Sequence, residues 1–266
     1  MVELDSVICG HNCDVLCGVD RESIDLVITS PPYGNLRMYG GFSDFDFYGV
    51  AWHLSRVLKP GGVIVWVVAD QISKGTESGD SFRQALHFQE LGLSLHDTMI
   101  WHKPNGAPGD GKVRYHRSFE YCFVISKGVP KSINLLRDVD AANPGHVKVK
   151  SFDRRKHDSI SSFPKKSPWI QPEKAFRQNV WSISKPNFGD DGVVAHSASF
   201  PEKLVVDHML SWSNDGDLVL DPFCGSGTVA RVAKDNGRRF IAIDINPEYC
   251  QSTRERLRQG VLFGAT

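Results

Sequence analysis

The chain has 266 residues, with 31 Lys+Arg balanced by 31 Asp+Glu, 41% hydrophobic and 23% charged residues. That is the make-up of one globular α/β domain carrying an insertion, and it excludes a disordered, collagenous or coiled-coil chain. The longest apolar runs, such as 62–69, are strand-length and far below the roughly 20 residues of a bilayer span. No charged-then-apolar leader opens the chain, so the expected address is the cytoplasm with no membrane partner. Six cysteines (Cys9, Cys13, Cys17, Cys122, Cys224, Cys250) are too few for a disulfide scaffold and form no C-x-x-C pair. Cys9, Cys13 and Cys17 fall four apart, a spacing that can share one helical face, but they lack histidines at zinc spacing, and no metal is expected.

In chain order, residues 25–29 read as a buried strand that stops at Ser30-Pro31-Pro32-Tyr33-Gly34. Residues 44–58 have helical spacing and are halted by Lys59-Pro60-Gly61-Gly62. A strand over 63–69, a helix over about 81–91 closed by Gly92, and strands near 95–101 and 119–125 follow. Between 148 and 185 stand ten basic side chains against three acidic ones, a net +7 that the rest of the chain must offset. That stretch is rich in Ser, Pro and Lys and interleaves Phe152, Phe163, Trp169 and Phe176. It reads as an inserted, loop-rich lobe that recognises a polyanion, or alternatively as a solvated surface loop.

Beyond it, Ser199-Phe200-Pro201-Glu202 has capping-box spacing, with Ser199 as cap and Glu202 returning to it, ahead of a helix bearing Leu204, Val205, His208, Met209 and Trp212. A strand over 217–221, a glycine turn, a helix, a strand over 240–244 and a last helix capped by Asn246 with Pro247 at its first position complete the chain. Strands alternating with helices imply a mostly parallel sheet covered on both faces. The expected division is 1–127 and 191–266 as two halves of one α/β domain, with 128–190 as the recognition insertion.

Two constellations carry chemistry. In the first, Asp221-Pro222-Phe223-Cys224-Gly225-Ser226-Gly227-Thr228 joins a strand to a helix through glycines, and Asp244 ends the next strand, where a carboxylate can take both ribose hydroxyls. Gly225, Gly227 and Ala230 also satisfy the loose dinucleotide pattern G-x-G-x-x-A, so a nicotinamide dehydrogenase is the competing reading. Asp221 separates the two, because a carboxylate ahead of the glycines repels a pyrophosphate and suits the cationic amino group of S-adenosyl-L-methionine. In the second constellation, Thr29-Ser30-Pro31-Pro32-Tyr33, two prolines remove two N–H donors, so the local carbonyls and the Ser30 hydroxyl present acceptors beside an aromatic face. Such a pocket suits an extruded base bearing an exocyclic amine; a Pro-Pro turn with a packed tyrosine is the plainer alternative.

Together the motifs resemble those of the DNA amino-methyltransferases that act on cytosine N4 or adenine N6. The S-P-P-Y motif at 30–33 precedes, and the F-x-G-x-G motif at 223–227 follows, a basic region, which is the circularly permuted order of the family's β group. The resemblance extends to Leu58-Lys59-Pro60-Gly61-Gly62, to Trp101-His102-Lys103-Pro104 and to residues 196–204. It departs at Gly10-His11, where family members often carry Gly-Asp; His11 is the position onto which an adenine contact would be carried.

The resemblance implies a Rossmann-like class I methyltransferase fold with a mostly parallel seven-stranded sheet. It implies Ser30, Pro31, Pro32 and Tyr33 as catalytic residues, and S-adenosyl-L-methionine bound by Asp221, Pro222, Phe223, Gly225, Gly227, Thr228, Asp244, Phe200, Pro201 and His11. Arg154, Arg155, Lys156, Lys165 and Lys166 are the expected DNA contacts. Double-stranded DNA is the implied partner, with a cognate restriction endonuclease or none, in a prokaryotic or phage setting, and a homodimer is compatible with it. Methylation at cytosine C5 needs a thiolate, usually in Pro-Cys, and that dipeptide is absent, which leaves direct transfer to an amine. Ser at the head of the motif favours cytosine N4 over adenine N6. An RNA base methyltransferase and an inactive nucleic-acid-binding module are the remaining alternatives.

Overall fold

The computed structural model describes residues 2–32, 45–105, 114–142, 144, 147–148, 169–170, 172–185 and 201–259. Its elements run β1 (Ser6–Cys9), α1 (Asn12–Cys17), β2 (Ile24–Thr29), α2 (Phe47–Val57), β3 (Leu58–Val68), β4 (Ile72–Ser73), β5 (Thr76–Glu77), α3 (Asp80–Glu90), β6 (Ser94–His102) and β7 (Phe119–Ser126). The short strands β8 (Arg137–Asp140), β9 (Val147–Lys148), β10 (Trp169–Ile170) and β11 (Lys174–Phe176) come next. Then follow β12 (Val180–Ser182), α4 (Glu202–Trp212), β13 (Leu218–Asp221), α5 (Thr228–Asp235), β14 (Arg239–Asp244) and α6 (Pro247–Arg258).

The chain divides into a body, Met1–Asn134 with Asn179–Thr266, and a smaller unit, Leu135–Gln178. In the smaller unit β8 pairs antiparallel with β11, and the guanidinium of Arg137 lies 3.9 Å from the ring centre of Phe176. Arg177 grips Asp138 and Lys174 reaches Asp140 at 2.5 Å, so ion pairs join the two strands of this hairpin.

The body is built on one sheet in the order β1-β14-β13-β2-β3-β7-β6-β12. β7 runs antiparallel to both neighbours and every other pairing is parallel. Among the described residues the sheet has eight strands where seven were expected. The additional one, β12, lies inside what reads as the loop-rich insertion and pairs with β6 through Trp181, whose ring is buried and whose neighbours Val180 and Ser182 are exposed. Three residues with one buried position give no period to read.

Alternation along β3 sorts the layers. Ile64, Trp66 and Val68 face a cluster completed by Leu16 of α1, Val50, Leu54 and Val57 of α2, and Ala85 and Phe88 of α3. Val63, Val65 and Val67 are equally buried on the opposite face. There α4, α5 and α6 pack on one another and on β2, β13 and β14, and give nothing to the first cluster.

Most helix ends fall within a few residues of expectation, and Asn246 caps α6 by accepting from Glu248 N–H at 2.9 Å with Pro247 following. The capping box ahead of α4 is a correction: α4 starts at Glu202 with Pro201 as its N-cap and no side-chain cap, so Glu202 occupies the first helical position and cannot reach back as a third-position residue. Pro201 presents its carbonyl to Leu204 N–H at 3.0 Å, and its missing donor is one that a helix start does not need. Cys9 is likewise not on a helical face with Cys13 and Cys17, because it closes β1 while the other two lie on α1.

α6 also buttresses the glycine turn. Gly227 has φ +77, and a Cβ there would lie 2.4 Å from Thr253 Cγ2, while Thr253 Oγ1 donates to Gly225 O at 2.9 Å. Gly75 has φ +76 with open space around it. Gly75→Ala should therefore cost only the left-handed backbone, about 1 kcal/mol. Gly227→Ala should cost about 3 kcal/mol once overpacking is added. Urea unfolding of both variants checks this, and equal costs would show that Thr253 yields freely.

Candidate active site

Every parallel strand of the body ends at the same edge of the sheet. Register pairs Val219 with Leu26 and Leu220 with Val27, so Asp221 closes β13 beside Thr29 and Ser30 at the end of β2. The chain leaves β13 through α5 toward β14 and leaves β2 through α2 toward β3, in opposite directions across the sheet. Such a reversal opens a crevice at the strand ends, the usual ligand position in open α/β sheets. The two sequence motifs, nearly two hundred residues apart, are thereby neighbours, as their order implied.

Thr29 Oγ1 donates to Asp221 Oδ1 at 2.7 Å, and Phe223 N–H donates to the same oxygen at 3.1 Å. Asp221 is 4% exposed, and among the described residues no cation pairs with it. Burial raises its pKa to about 7; the hydrogen bonds from Thr29 and Phe223 pull the other way, and the charge of Asp244 adds a smaller push.

Asp244 closes β14 opposite Cys9 of β1. Its Oδ2 accepts from Gly225 N–H at 2.8 Å and its Oδ1 from Asn246 N–H at 2.9 Å, which fixes the plane of the carboxylate against the glycine turn. A carboxylate oxygen accepts more than one hydrogen bond, so this group can still receive a pair of hydroxyls. Gly10 N–H donates to Asp244 O at 3.0 Å, which sets His11, the N-cap position of α1, beside the same strand end. Gly225, Gly227, Pro222 and Thr228 are buried and Phe223 is half-buried, its ring 5.3 Å from Phe45 and 6.5 Å from Trp66. Pro201 is buried at the start of α4.

On the other side, Ser30 and Pro32 are half-buried and Pro31 is buried. Pro32 lines a cavity of about 190 Å³ together with Phe45, Phe47, Val68, Ala69 and Gln84. Tyr33, Phe200, Arg154, Arg155, Lys156, Lys165 and Lys166 lie outside the described residues.

The donor set fits S-adenosylmethionine better than a dinucleotide. A buried carboxylate with no cation paired to it among the described residues suits a cationic ligand and opposes a pyrophosphate, and the fixed carboxylate of Asp244 suits a diol. Two contributors were not assigned roles from sequence. Thr29 opens the second constellation without a role of its own, yet its hydroxyl joins the two motifs. Asp70, two residues past the end of β3, receives Ser81 N–H at 3.0 Å, Ser81 Oγ at 2.6 Å and Ser78 Oγ at 3.1 Å. Its signal was present, since an aspartate at the end of an apolar run is the same pattern as Asp221 and Asp244.

The strand order, the single antiparallel strand and the crevice at the switch point define a class I S-adenosylmethionine-dependent methyltransferase. Comparison with known proteins narrows the class. A family model for N6/N4 enzymes, described as DNA methylase, matches residues 24–255. The orphan methyltransferase M.BamHII of Bacillus amyloliquefaciens is 46% identical over 245 residues, covering 91% of each chain. The chain belongs to this family of S-adenosylmethionine-dependent DNA amino-methyltransferases. Among solved structures, the cytosine-N4-specific PvuII DNA methyltransferase superposes with a TM-score of 0.69 at 24% identity, over 97% of this chain and 88% of that one. The M1.HpyAVI–SAM complex does so with a TM-score of 0.61 at 20% identity, over 95% and 98%. Both are likenesses of fold.

The raised pKa of Asp221 has a defined sign. The folded protein holds a proton that the unfolded chain releases near pH 3.8, so this group's contribution to stability is full below that value and is lost as pH rises toward about 7. Unliganded protein should lose stability across that window at a slope approaching about 1.4 kcal/mol per pH unit from this group. Asp221→Asn, which keeps an acceptor for Thr29 and Phe223, should remove that component, as read from denaturant titrations at successive pH values.

Proposed function

We propose that this protein methylates a specific site in double-stranded DNA, transferring the methyl group of S-adenosyl-L-methionine to the exocyclic amine of a base drawn out of the duplex, with cytosine N4 as the target. The observation that carries the reading is the Thr29–Asp221 hydrogen bond, because it sets Ser30 one residue away from the carboxylate best suited to the cofactor's cationic end. Bound cofactor supplies an electrophilic methyl group on sulfur. The chain supplies position: Asp221 takes the ammonium end, Asp244 the ribose hydroxyls, and Pro222, Phe223, Gly225, Gly227, Thr228, Pro201, Phe200 and His11 complete that side.

Ser30 Oγ and the Pro31 carbonyl accept the hydrogens of the target amine, turning its lone pair out of conjugation with the ring. Tyr33 stacks on the base. Orientation and exclusion of water then carry most of the rate, and the product amine sheds its proton without a strong base at Ser30. The 128–190 insertion, with Arg154, Arg155, Lys156, Lys165 and Lys166, holds and reads the DNA. A neutral hydroxyl at the head of the motif, where a carboxylate or amide is the commoner choice for adenine, favours the smaller cytosine ring. The M.BamHII relative is named an orphan, which supports action without a cognate endonuclease. The cytoplasm is the matching address.

Unmodified plasmid DNA incubated with enzyme and cofactor, digested to nucleosides and resolved by mass spectrometry, should yield N4-methylcytosine. N6-methyladenine alone would overturn the choice of base, and transfer to RNA but not DNA would overturn the choice of polymer. For the cofactor side, Asp244→Ala should weaken S-adenosylmethionine binding at least tenfold by calorimetry, about 1.4 kcal/mol or more. An unchanged affinity would remove Asp244 from the site.

A further inference from the structure

The body carries its own cationic rim at the active edge of the sheet. β6 and β12 run parallel to β2 and β3, so His102 and Ser182 end at the same edge as Ser30. Just beyond β6, Lys103 is buried against Glu120, with its Nζ 4.5 Å from the centre of the Trp101 ring. Burial depresses the pKa of Lys103, Glu120 restores part of it, and the like charges of Lys185 and Arg117 depress it further.

Two of these three cations have no carboxylate of their own among the described residues. Arg117 is exposed and donates only Nη2, to the carbonyl of Asp70 at 2.5 Å. A guanidinium has five N–H donors, and the rest of this fork is left for a ligand. Among the described residues, the hydrogen bonds of Lys185 are those of its backbone: its N–H donates to Asn105 Oδ1 at 2.9 Å, and Asn105 Nδ2 donates to its carbonyl at 3.2 Å. Its ammonium has no hydrogen bond or ion pair with any described residue. Asp70 lies between Ala69 and Gln71, which both line the cavity that touches Pro32, so Arg117 stands one residue from that cavity.

We propose that Arg117 and Lys185 hold phosphates of the DNA strand from which the target base is drawn, so that the catalytic body makes backbone contacts of its own beside the mouth of the cavity. The inference rests on the DNA-methylating reading and adds the residues that grip the backbone on the body. A fork with spare donors and a fixed-stem ammonium match phosphate oxygens, which duplex DNA presents at one charge per roughly 1.7 Å of axis. The competing role for Arg117 is a mere staple for the hairpin of β4 and β5, whose Gly75 carbonyl Arg114 also grips.

The test uses a duplex containing the protein's own methylation site, located beforehand by sequencing plasmid that the enzyme has modified. Affinity of wild type, Arg117→Gln, Lys185→Gln and the double variant is measured by fluorescence anisotropy across a salt series. Glutamine at 117 keeps a donor for the Asp70 carbonyl and loses only charge. Each single substitution should lower the slope of log affinity against log salt by about 0.9, and the double by about twice that. Melting temperature and S-adenosylmethionine affinity should hold. Unchanged slopes would overturn the inference while wild-type methylation of DNA stood. A wild type that neither binds nor methylates duplex DNA would instead overturn the reading beneath it. If Arg117→Gln lowers the melting temperature, Lys185→Gln alone decides, since its ammonium has no hydrogen bond or ion pair with a described residue to lose.

Discussion

The hydrogen bond from Thr29 to Asp221, 2.7 Å long and buried, joins two strands that the chain reaches at opposite ends of its length. β2 and β13 share few register pairs, and side chains close the seam at both ends. At the far end Asp25 Oδ2 accepts Leu218 N–H at 3.0 Å and Lys59 Nζ at 2.6 Å; at the active end Asp221 accepts Thr29. Each strand thus lends one aspartate to the other. Because the crevice opens where the chain departs in two directions, a shift of this seam would move the strand ending at Asp221 against the strand leading to Ser30, and the fold spends two buried carboxylates to prevent it.

Two buried aspartates at this edge sit in contrasting environments although the sequence pattern around them is alike. Asp70 lies two residues past the end of β3, and Asp221 closes β13. Burial pushes both toward the neutral form, but donors from Ser81 and Ser78, through side chain and backbone, outweigh it for Asp70 and hold its pKa below the ordinary carboxylate value. Asp221 has two donors and stays high. The first is a structural anion that fastens α3 to the end of β3. The second is under-solvated in the way of a group whose proper partner is a ligand.

Legibility in the sequence followed burial and length. β2, β3, β6 and β7 were readable because six or more residues alternate or run apolar between clear breakers. β1 was not, since Ser6–Cys9 is an edge strand of four residues with one buried position, and α1 was not, since its six residues from Asn12 follow His11, an N-cap with no side-chain cap. β12 hid inside a charged stretch for the same reason. At the site, the glycines and aspartates announced themselves through spacing, whereas the part played by Thr29 needs the pairing of two distant strands and has no local signature. The cavity beside Pro32 draws on four separate segments, a combination that only the folded sheet assembles.

The junctions of the smaller unit have one more consequence. On one side Asn134 is anchored in the body, its N–H on Ser211 O at 2.8 Å and its side-chain amide on Leu210 O and Asn214. On the other, Asn179 accepts Ile100 N–H at 2.8 Å and donates to Thr98 O at 3.2 Å as β12 begins. The chain therefore leaves and rejoins the body at two pinned stems, and among the described residues what lies between them contributes no strand to the sheet. Closing a longer loop between fixed stems costs little, about 0.6 kcal/mol for each doubling of its length. Lengthening the interval 135–178 between these stems therefore asks little of the body in loop-closure entropy.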